Sequence, residues 1–373
     1  MIVEKLRLVN FRNYRDVVVS FSPRVNVFVG DNGQGKTNLL EALYLVSQGD
    51  SFRYNDNSVL LRSGESEAVI QTKICQNDLH YKLQLNLSKS RKSLSLNDKK
   101  ASPRDVRKLF ASVVFSPESL SSIKEGADQR RQLVDELLIT FDRNNADLIA
   151  DYRKVLKTRN KVLKNHLQDR EPLSVTLALL ESLQPTFLRL GANLIYARIT
   201  ALLGLEKEFN SAMRYISQAD VDISVNYLMS NENVLKFSLE QVYAALEKRA
   251  KELHDAELSS GVSLVGPHKH DIAFLYGQKD SRFYCSQGQQ RAIILSFKMA
   301  QIVYHRKAHG TYPVLMLDDV LSELDKAKRD ALIMFLHEIN TQIFVTTTDF
   351  TLPDSFSLDQ LSVLRIKDGH ILD

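Results

Sequence analysis

The residues best suited to chemistry are Gly30-Asp31-Asn32-Gly33-Gln34-Gly35-Lys36-Thr37, which have the G-x-x-x-x-G-K-[ST] spacing of a phosphate-binding loop. Glycines let such a loop curl until successive N–H groups face phosphate oxygens. Lys36 then reaches the β- and γ-phosphates, and the Thr37 hydroxyl ligates Mg²⁺. Far along the chain, Val314-Leu315-Met316-Leu317-Asp318-Asp319 reads as an apolar strand ending in two carboxylates. Asp318 suits the Mg²⁺ ion or its waters, and Asp319 suits the orientation of an attacking water. Adjacent side chains on a regular strand face opposite ways, so Asp319 must lie where the strand ends. A third segment, Ser286-Gln287-Gly288-Gln289-Gln290-Arg291, opens with a capping box formed by Ser286 and Gln289. Gly288 weakens the first helical turn but lets a ligand approach its backbone, and a helix N-terminus with a serine hydroxyl suits a γ-phosphate.

These groups need elements to position them. Val25–Val29 alternates as a buried strand before the loop, and Leu39, Leu40, Leu43 and Val46 recur at helical spacing after it. The helix N-terminus therefore meets the phosphates. The first residues read as a β-hairpin turning at Asn10–Tyr14. Arg12 there is either a phosphate or base contact or a surface turn residue. Val69–Cys75 and His80–Leu87 form a second expected hairpin, and Asp271–Tyr276 with Ser281–Cys285 a third. The last stretch alternates: helix Gln287–His305, strand Val314–Leu317, helix Lys326–Glu338, strands Gln342–Thr346 and Leu361–Ile366. Alternation of this kind predicts a largely parallel sheet covered by helices. Between the two ends strand signals fade, and Gln129–Phe141, Ala146–Leu167, Val175–Leu203 and Val234–Leu258 carry helical periodicity, interrupted at Pro172 and Pro185. The expected organisation is a head built from residues 1–120 and 258–373, with an inserted helical arm at 121–257.

The 373 residues, 44% apolar and 25% charged, have the composition of a soluble globular protein. No apolar run approaches the roughly 18 residues of a membrane span, and the first residues do not open a signal peptide. Two cysteines, Cys75 and Cys285, allow at most one pair, so a reduced, cytoplasmic protein is the simpler reading. The net charge of +4 permits nucleic-acid binding without demanding it. Lys89, Arg91, Lys92, Lys99, Lys100, Arg104, Arg107 and Lys108 face only Asp98 and Asp105 in residues 89–108. That stretch is either a loop touching a polynucleotide backbone or a solvated linker. His268 and His270 are an incomplete ligand set, and no structural metal is expected.

The order of phosphate loop, Ser-x-Gly-x-Gln helix start, Asp-Asp strand and Ser322-Glu323-Leu324-Asp325 resembles the ABC-type ATPase heads of SMC-like DNA-repair proteins. Within that group the chain is similar to the RecF family. Leu8–Tyr14, Gly30–Leu45, Ser51-Phe52-Arg53, Phe115–Glu118, Arg130–Asp135 and Gly266-Pro267-His268 add to the likeness. The resemblance implies an α/β fold: an ABC-type phosphate-loop ATPase head with a mixed β-sheet lobe, plus an inserted all-α arm. It implies ATP held by Gly30, Asp31, Asn32, Gly33, Gln34, Gly35, Lys36, Thr37, Asn38 and Arg12. Ser286 and Gly288 of a second copy would close it. Catalysis would rest on Lys36, Asp318 and Asp319, Mg²⁺ on Thr37, Asp318 and Glu118, and Asp325 would lie at the seam of an ATP-dependent homodimer. Expected partners are double-stranded and gapped DNA and RecR, with RecO and RecA as functional partners, in recombinational repair and replication-gap processing.

Some positions depart from the family pattern. Transport ATPases carry Glu where Asp319 stands, which predicts a slow, DNA-stimulated ATPase used as a switch. Glu118 stands near where a metal-sensing glutamine is usual, and His270 where an acid is usual. The switch histidine is missing, leaving Thr348 or Asp349 as substitute. Two other readings compete, the nucleotide-binding subunit of a membrane transporter and a chromosome-organising SMC head. The helical insertion and basic segments argue against the first, and the lack of a coiled-coil insertion hundreds of residues long against the second.

Overall fold

The computed structural model describes residues 1–53, 56–348 and 361–372. Its strands, in chain order, are β1 (Ile2–Phe11), β2 (Tyr14–Ser20), β3 (Val25–Val29), β4 (Glu67–Gln76), β5 (Leu79–Ser88), β6 (Lys92–Leu96), β7 (Lys99–Ala101) and β8 (Ser112–Phe115). They continue with β9 (Ile223–Met229), β10 (Glu232–Asn233), β11 (Asp271–Tyr276), β12 (Lys279–Asp280), β13 (Val314–Asp318), β14 (Ile343–Thr347), β15 (Leu361–Lys367) and β16 (His370–Leu372). Two compact units result. One comprises residues 1–120, 215–218 and 294–373, the other residues 121–214 and 219–293. Residues 258–293, read from the sequence with the head, fall in the second unit by compactness.

In the first unit, one sheet has the order β16-β15-β3-β14-β13-β8. Its strands run parallel apart from β16, which returns antiparallel on β15. Parallel strands covered on both faces are apolar throughout, and Val314–Asp318 is buried at every position. A second, antiparallel sheet has the order β2-β1-β4-β5-β6-β7. The helix Lys36–Gln48 touches β4 and β5 on one side and β8, β13 and β14 on the other. Flanked by two sheets, it buries Leu39, Leu40, Ala42, Leu43, Leu45 and Val46 together. A helix apolar on nearly every face is stable only in such a place.

The basic stretch 89–108 is neither loop nor linker. It folds as β6, β7 and the helix Pro103–Leu109, which is entered through a capping box of Ser102 and Asp105. Lys92 is spent on Asp50 at 2.9 Å, and Arg107 donates to the Gln48 carbonyl at 2.7 Å. Lys89, Arg91, Lys99, Lys100, Arg104 and Lys108 remain exposed.

The second unit holds the helices Ala127–Phe141, Asn145–Leu167, Leu239–Glu252 and His254–Ser260. The long helix Leu173–Ser217 runs through Pro185 without a break. A proline removes one N–H and crowds the preceding turn, yet packing along the helix outweighs that local cost. This helix is also long and apolar enough, by composition alone, to pass for a membrane span, a feature the sequence reading missed. Of its most apolar window, 56% is buried in the protein, as in the core helix of a folded domain.

The stretch 121–257 is not wholly helical. Strand β9 alternates buried and half-buried residues and pairs antiparallel with β10 and β11, and β12 completes a four-stranded sheet. The expected hairpin after β11 is shorter than its pattern suggested, because β12 has two residues and Ser281–Tyr284 is a helical turn capped by Asp280. A side-chain bond from an Asx residue to the backbone two residues on diverts the chain from the ladder. Arg198 crosses this unit's interior, donating to Asp135 at 2.9 Å, to the Tyr227 hydroxyl and to the Pro267 carbonyl.

Candidate nucleotide site in the first unit

Gly30–Thr37 leaves β3 and enters the helix Lys36–Gln48 through Gly35, at φ 114°. A left-handed backbone at this junction calls for glycine. Space calls for it too, since a Cβ on Gly35 would lie 2.6 Å from the Asn13 side chain and 3.0 Å from the Tyr14 hydroxyl. On Gly30 it would sit 2.3 Å from the Ile366 carbonyl oxygen. Gly35 gives the helix no side-chain cap, so its first amides stay available to an anion.

Lys36 folds back over the loop, donating to the carbonyls of Gly30 at 2.7 Å and Asp31 at 2.8 Å. Burial lowers its pKa, opposed by Asp319, Asp318 and Asp31. Thr37 Oγ1 donates to Asp318 Oδ1 at 2.7 Å, joining the loop to the tip of β13. Thr346, opposite Asp318 in the β13–β14 ladder, donates to the same oxygen at 2.8 Å. Burial pushes the Asp318 carboxyl up, against those two hydroxyls, with Arg53 lowering it and Glu118 raising it. Glu118, on the turn Pro117–Leu120, is thus within electrostatic reach of Asp318.

Asp319 follows the strand's last residue and takes φ 50°, its N–H donating to Thr346 Oγ1 at 2.8 Å. Its Oδ1 is buried without a hydrogen-bond partner among the described residues. An unsatisfied carboxylate oxygen beside a lysine and a second carboxylate fits a site made for a cation and its waters. Asp325 caps the helix Lys326–Glu338, accepting from the Lys328 N–H at 3.0 Å and pairing with the Lys328 ammonium.

Arg12 is placed differently from a free phosphate ligand. At φ 54° its guanidinium grips Glu41 through two contacts of 2.9 Å and donates to the Val59 carbonyl. Glu41 is fully buried, and Ser51 Oγ donates to it as well. A buried carboxylate needs such a cation. Asn38 Nδ2 is likewise engaged, on Asn13 Oδ1 at 2.9 Å, while Asn13 Nδ2 donates to the Gln34 carbonyl at 2.8 Å. The Tyr14 hydroxyl donates to the Gly35 carbonyl. From β15–β16, the Asp368 and Gly369 amides donate to the Gln34 side chain and carbonyl. Sequence reasoning missed this shell of Asn13, Tyr14, Glu41 and Thr346. The signal available was Glu41, the one acidic residue of its helix, set between apolar leucines and alanine.

Ser286 and Gly288 belong to the second unit, at the start of the helix Gln287–His309. The capping box is present, with the Ser286 N–H donating to Gln289 Oε1 at 2.8 Å and the Gln289 N–H to Ser286 Oγ at 3.3 Å. Ser286 and Gln287 are exposed, and so are Phe283 and Tyr284 before them. Thr348 follows β14, and Asp349 lies outside the described residues. Cys75 and Cys285 are both free.

Residues 2–365 match the family described as RecF/RecN/SMC N terminal domain. The chain is 33% identical over 374 residues to the DNA replication and repair protein RecF of Ligilactobacillus salivarius, covering 100% of this chain and 98% of that one. It is 32% identical over 376 residues to the RecF of Halothermothrix orenii, with the same coverage.

The chain belongs to the RecF family.

Its fold agrees with a solved structure of that family, "the recombination mediator protein RecF-ATPrS in RecFOR pathway", at a TM-score of 0.84 and 29% identity over 99% of this chain and 97% of that one. RecF membership displaces the transporter reading.

Proposed function

We propose that this RecF-family protein is an ATP-gated, DNA-binding switch of recombinational repair. ATP on Gly30–Thr37 of one copy is closed by Ser286 and Gly288 of a second, and the closed dimer binds duplex DNA beside single-stranded gaps. The observation that carries this reading is the meeting of Thr37, Asp318 and the unsatisfied Asp319 Oδ1 beside Lys36. Related RecF structures described as RecF-ATP and RecF-ATPrS support it.

The residues fit Mg²⁺, with Thr37 and Asp318 as ligands and Glu118 nearby. When bound, Mg²⁺ neutralises charge on the phosphates. Lys36 exchanges its two carbonyl partners for phosphate oxygens. Asp319 holds a water at its free oxygen, and its short side chain makes hydrolysis slow, which suits a timer more than a motor. Work with RecR and RecO, helping RecA filaments form on gapped DNA, follows from the family resemblance.

Sedimentation of the protein with and without ATP tests the reading. Lys36→Ala should remove the ATP-dependent dimer. Ser286→Arg should leave ATP binding to the monomer intact and block the dimer alone. Equal loss of both in Ser286→Arg, or an unchanged ATP response in Lys36→Ala, overturns it.

A further inference from the structure

On the antiparallel sheet of the first unit, away from the nucleotide site, three residues of different strands converge. Glu4 of β1, Cys75 of β4 and His80 of β5 place one ligand atom each within 4.8 Å of the others. Register explains how. Cys75 and His80 are directly opposed in the β4–β5 ladder, so their side chains share a face. Ile74 beside Cys75 points to the core, which leaves Cys75 on the outer face.

Glu4 reaches that face through an irregularity. Val3 pairs with Ile74 and Lys5 with Lys73, so Glu4 is one residue too many in β1. Val3 and Leu6 are both buried at a spacing of three, which strict alternation forbids without an inserted residue. The bulge turns Glu4 outward, and Glu4 Oε2 lies 3.1 Å from His80 Nδ1.

We propose that Glu4, Cys75 and His80 bind one zinc-class divalent cation, with water as the fourth ligand. Thiolate, imidazole and carboxylate together are a zinc donor set, and three protein ligands with one open position is a familiar zinc arrangement. Ligand atoms of a tetrahedral ion with bonds of about 2.0–2.3 Å lie roughly 3.3–3.8 Å apart, so small side-chain rotations close the set. Binding deprotonates the Cys75 thiol, and the proton leaves to solvent. A surface Glu–His ion pair would account for two of the residues but not for the thiol beside them. The ion ties β1, β4 and β5 across their outer face.

The test is titration of the full-length protein with Co²⁺ as a spectroscopic probe, then displacement by Zn²⁺. One equivalent should give a thiolate-to-cobalt absorption, which an oxygen-ligand site at Asp318 cannot produce. The absorption should be lost in Cys75→Ser and His80→Ala and kept in Cys285→Ser. Saturating Zn²⁺ should slow iodoacetamide alkylation of Cys75 at least tenfold, read by peptide mass spectrometry, and leave Cys285 unchanged. If Cys75→Ser does not fold, alkylation of the unmodified protein decides alone. Absence of the band, its survival in either variant of the site, or equal alkylation with and without Zn²⁺ overturns the proposal.

Discussion

Thr37 and Asp318 meet at 2.7 Å across 281 residues of sequence, a hydroxyl of the phosphate loop donating to the carboxylate that ends β13. Thr346 donates to the same oxygen, so Asp318 Oδ1 is satisfied before any ligand arrives. Burial nonetheless pushes this carboxyl's pKa up, which means that its ionised form costs stability in the folded chain.

Asp318→Asn keeps an acceptor for both hydroxyls and removes the buried charge. A group whose folded pKa is raised contributes stability below its unfolded pKa and loses it as pH rises through the folded value. Thermal melts of the nucleotide-free protein should therefore show Asp318→Asn melting a few degrees higher at neutral pH, with the gain gone in acid. The same variant should lose Mg²⁺-dependent ATP turnover. A lower melting temperature at neutral pH would contradict the assignment of burial as the dominant cause.

Gly30→Ala places a methyl against a backbone carbonyl of β15 that cannot swing aside. We expect a loss of about 1–3 kcal/mol in urea unfolding, from overpacking. Gly33→Ala makes the control, because no atom lies within 4 Å of its would-be Cβ and only its φ of 79° opposes the substitution.

Two histidines, one half-buried (His268) and one buried (His270), give the second unit a pH dependence. Burial lowers His268 to about 4 and His270 to about 3, and Tyr152 and Ser263 hold the His268 ring. The unfolded chain protonates near pH 6.5, before the folded one does, so stability falls as pH drops from about 6.5 toward these lower values. Unfolding midpoints from pH 8 to 4.5 should fall in the parent and flatten in His270→Gln. Parallel curves would remove His270 from the account.

Lys99 and Lys100 stand exposed on β7, in a hairpin with β6. If they touch DNA phosphates, Lys99→Ala/Lys100→Ala should weaken binding to all sequences alike. The slope of log affinity against log salt should flatten by roughly one unit for each phosphate no longer neutralised. An unchanged slope would place the DNA elsewhere.

How much was legible beforehand depends on how local each signal is. Val25–Val29 and Lys326–Glu338 carry their periodicity within a few residues, so their expected and observed bounds coincide, and the helical spacing of Leu39, Leu40, Leu43 and Val46 falls inside the helix Lys36–Gln48. The Asp-Asp strand end was legible because an apolar run suits a buried strand and the carboxylates directly after it mark where that strand ends. Strand β9 was missed because it pairs with β11, more than forty residues on, and its alternation looked like part of a helical stretch. Arg12 was read as a ligand candidate, and its grip on Glu41 could not be foreseen, since a turn arginine and a helix glutamate 29 residues apart share no spacing rule. Pro185 shows the reverse error, where a local rule yields to packing along the helix that holds it.

The sheet neighbours of β3 are β14 and β15. Both are made roughly 320 residues later in synthesis, as are the Asp368 and Gly369 amides that hold Gln34. At ribosomal speeds of about 5–20 residues per second, the apolar strand Val25–Val29 waits unpaired on the nascent chain for roughly 15–60 seconds. During that wait it is a sticky edge for chaperones or for other chains to seize. The phosphate loop therefore cannot set early, and a truncated translation product carries the motif without the pocket.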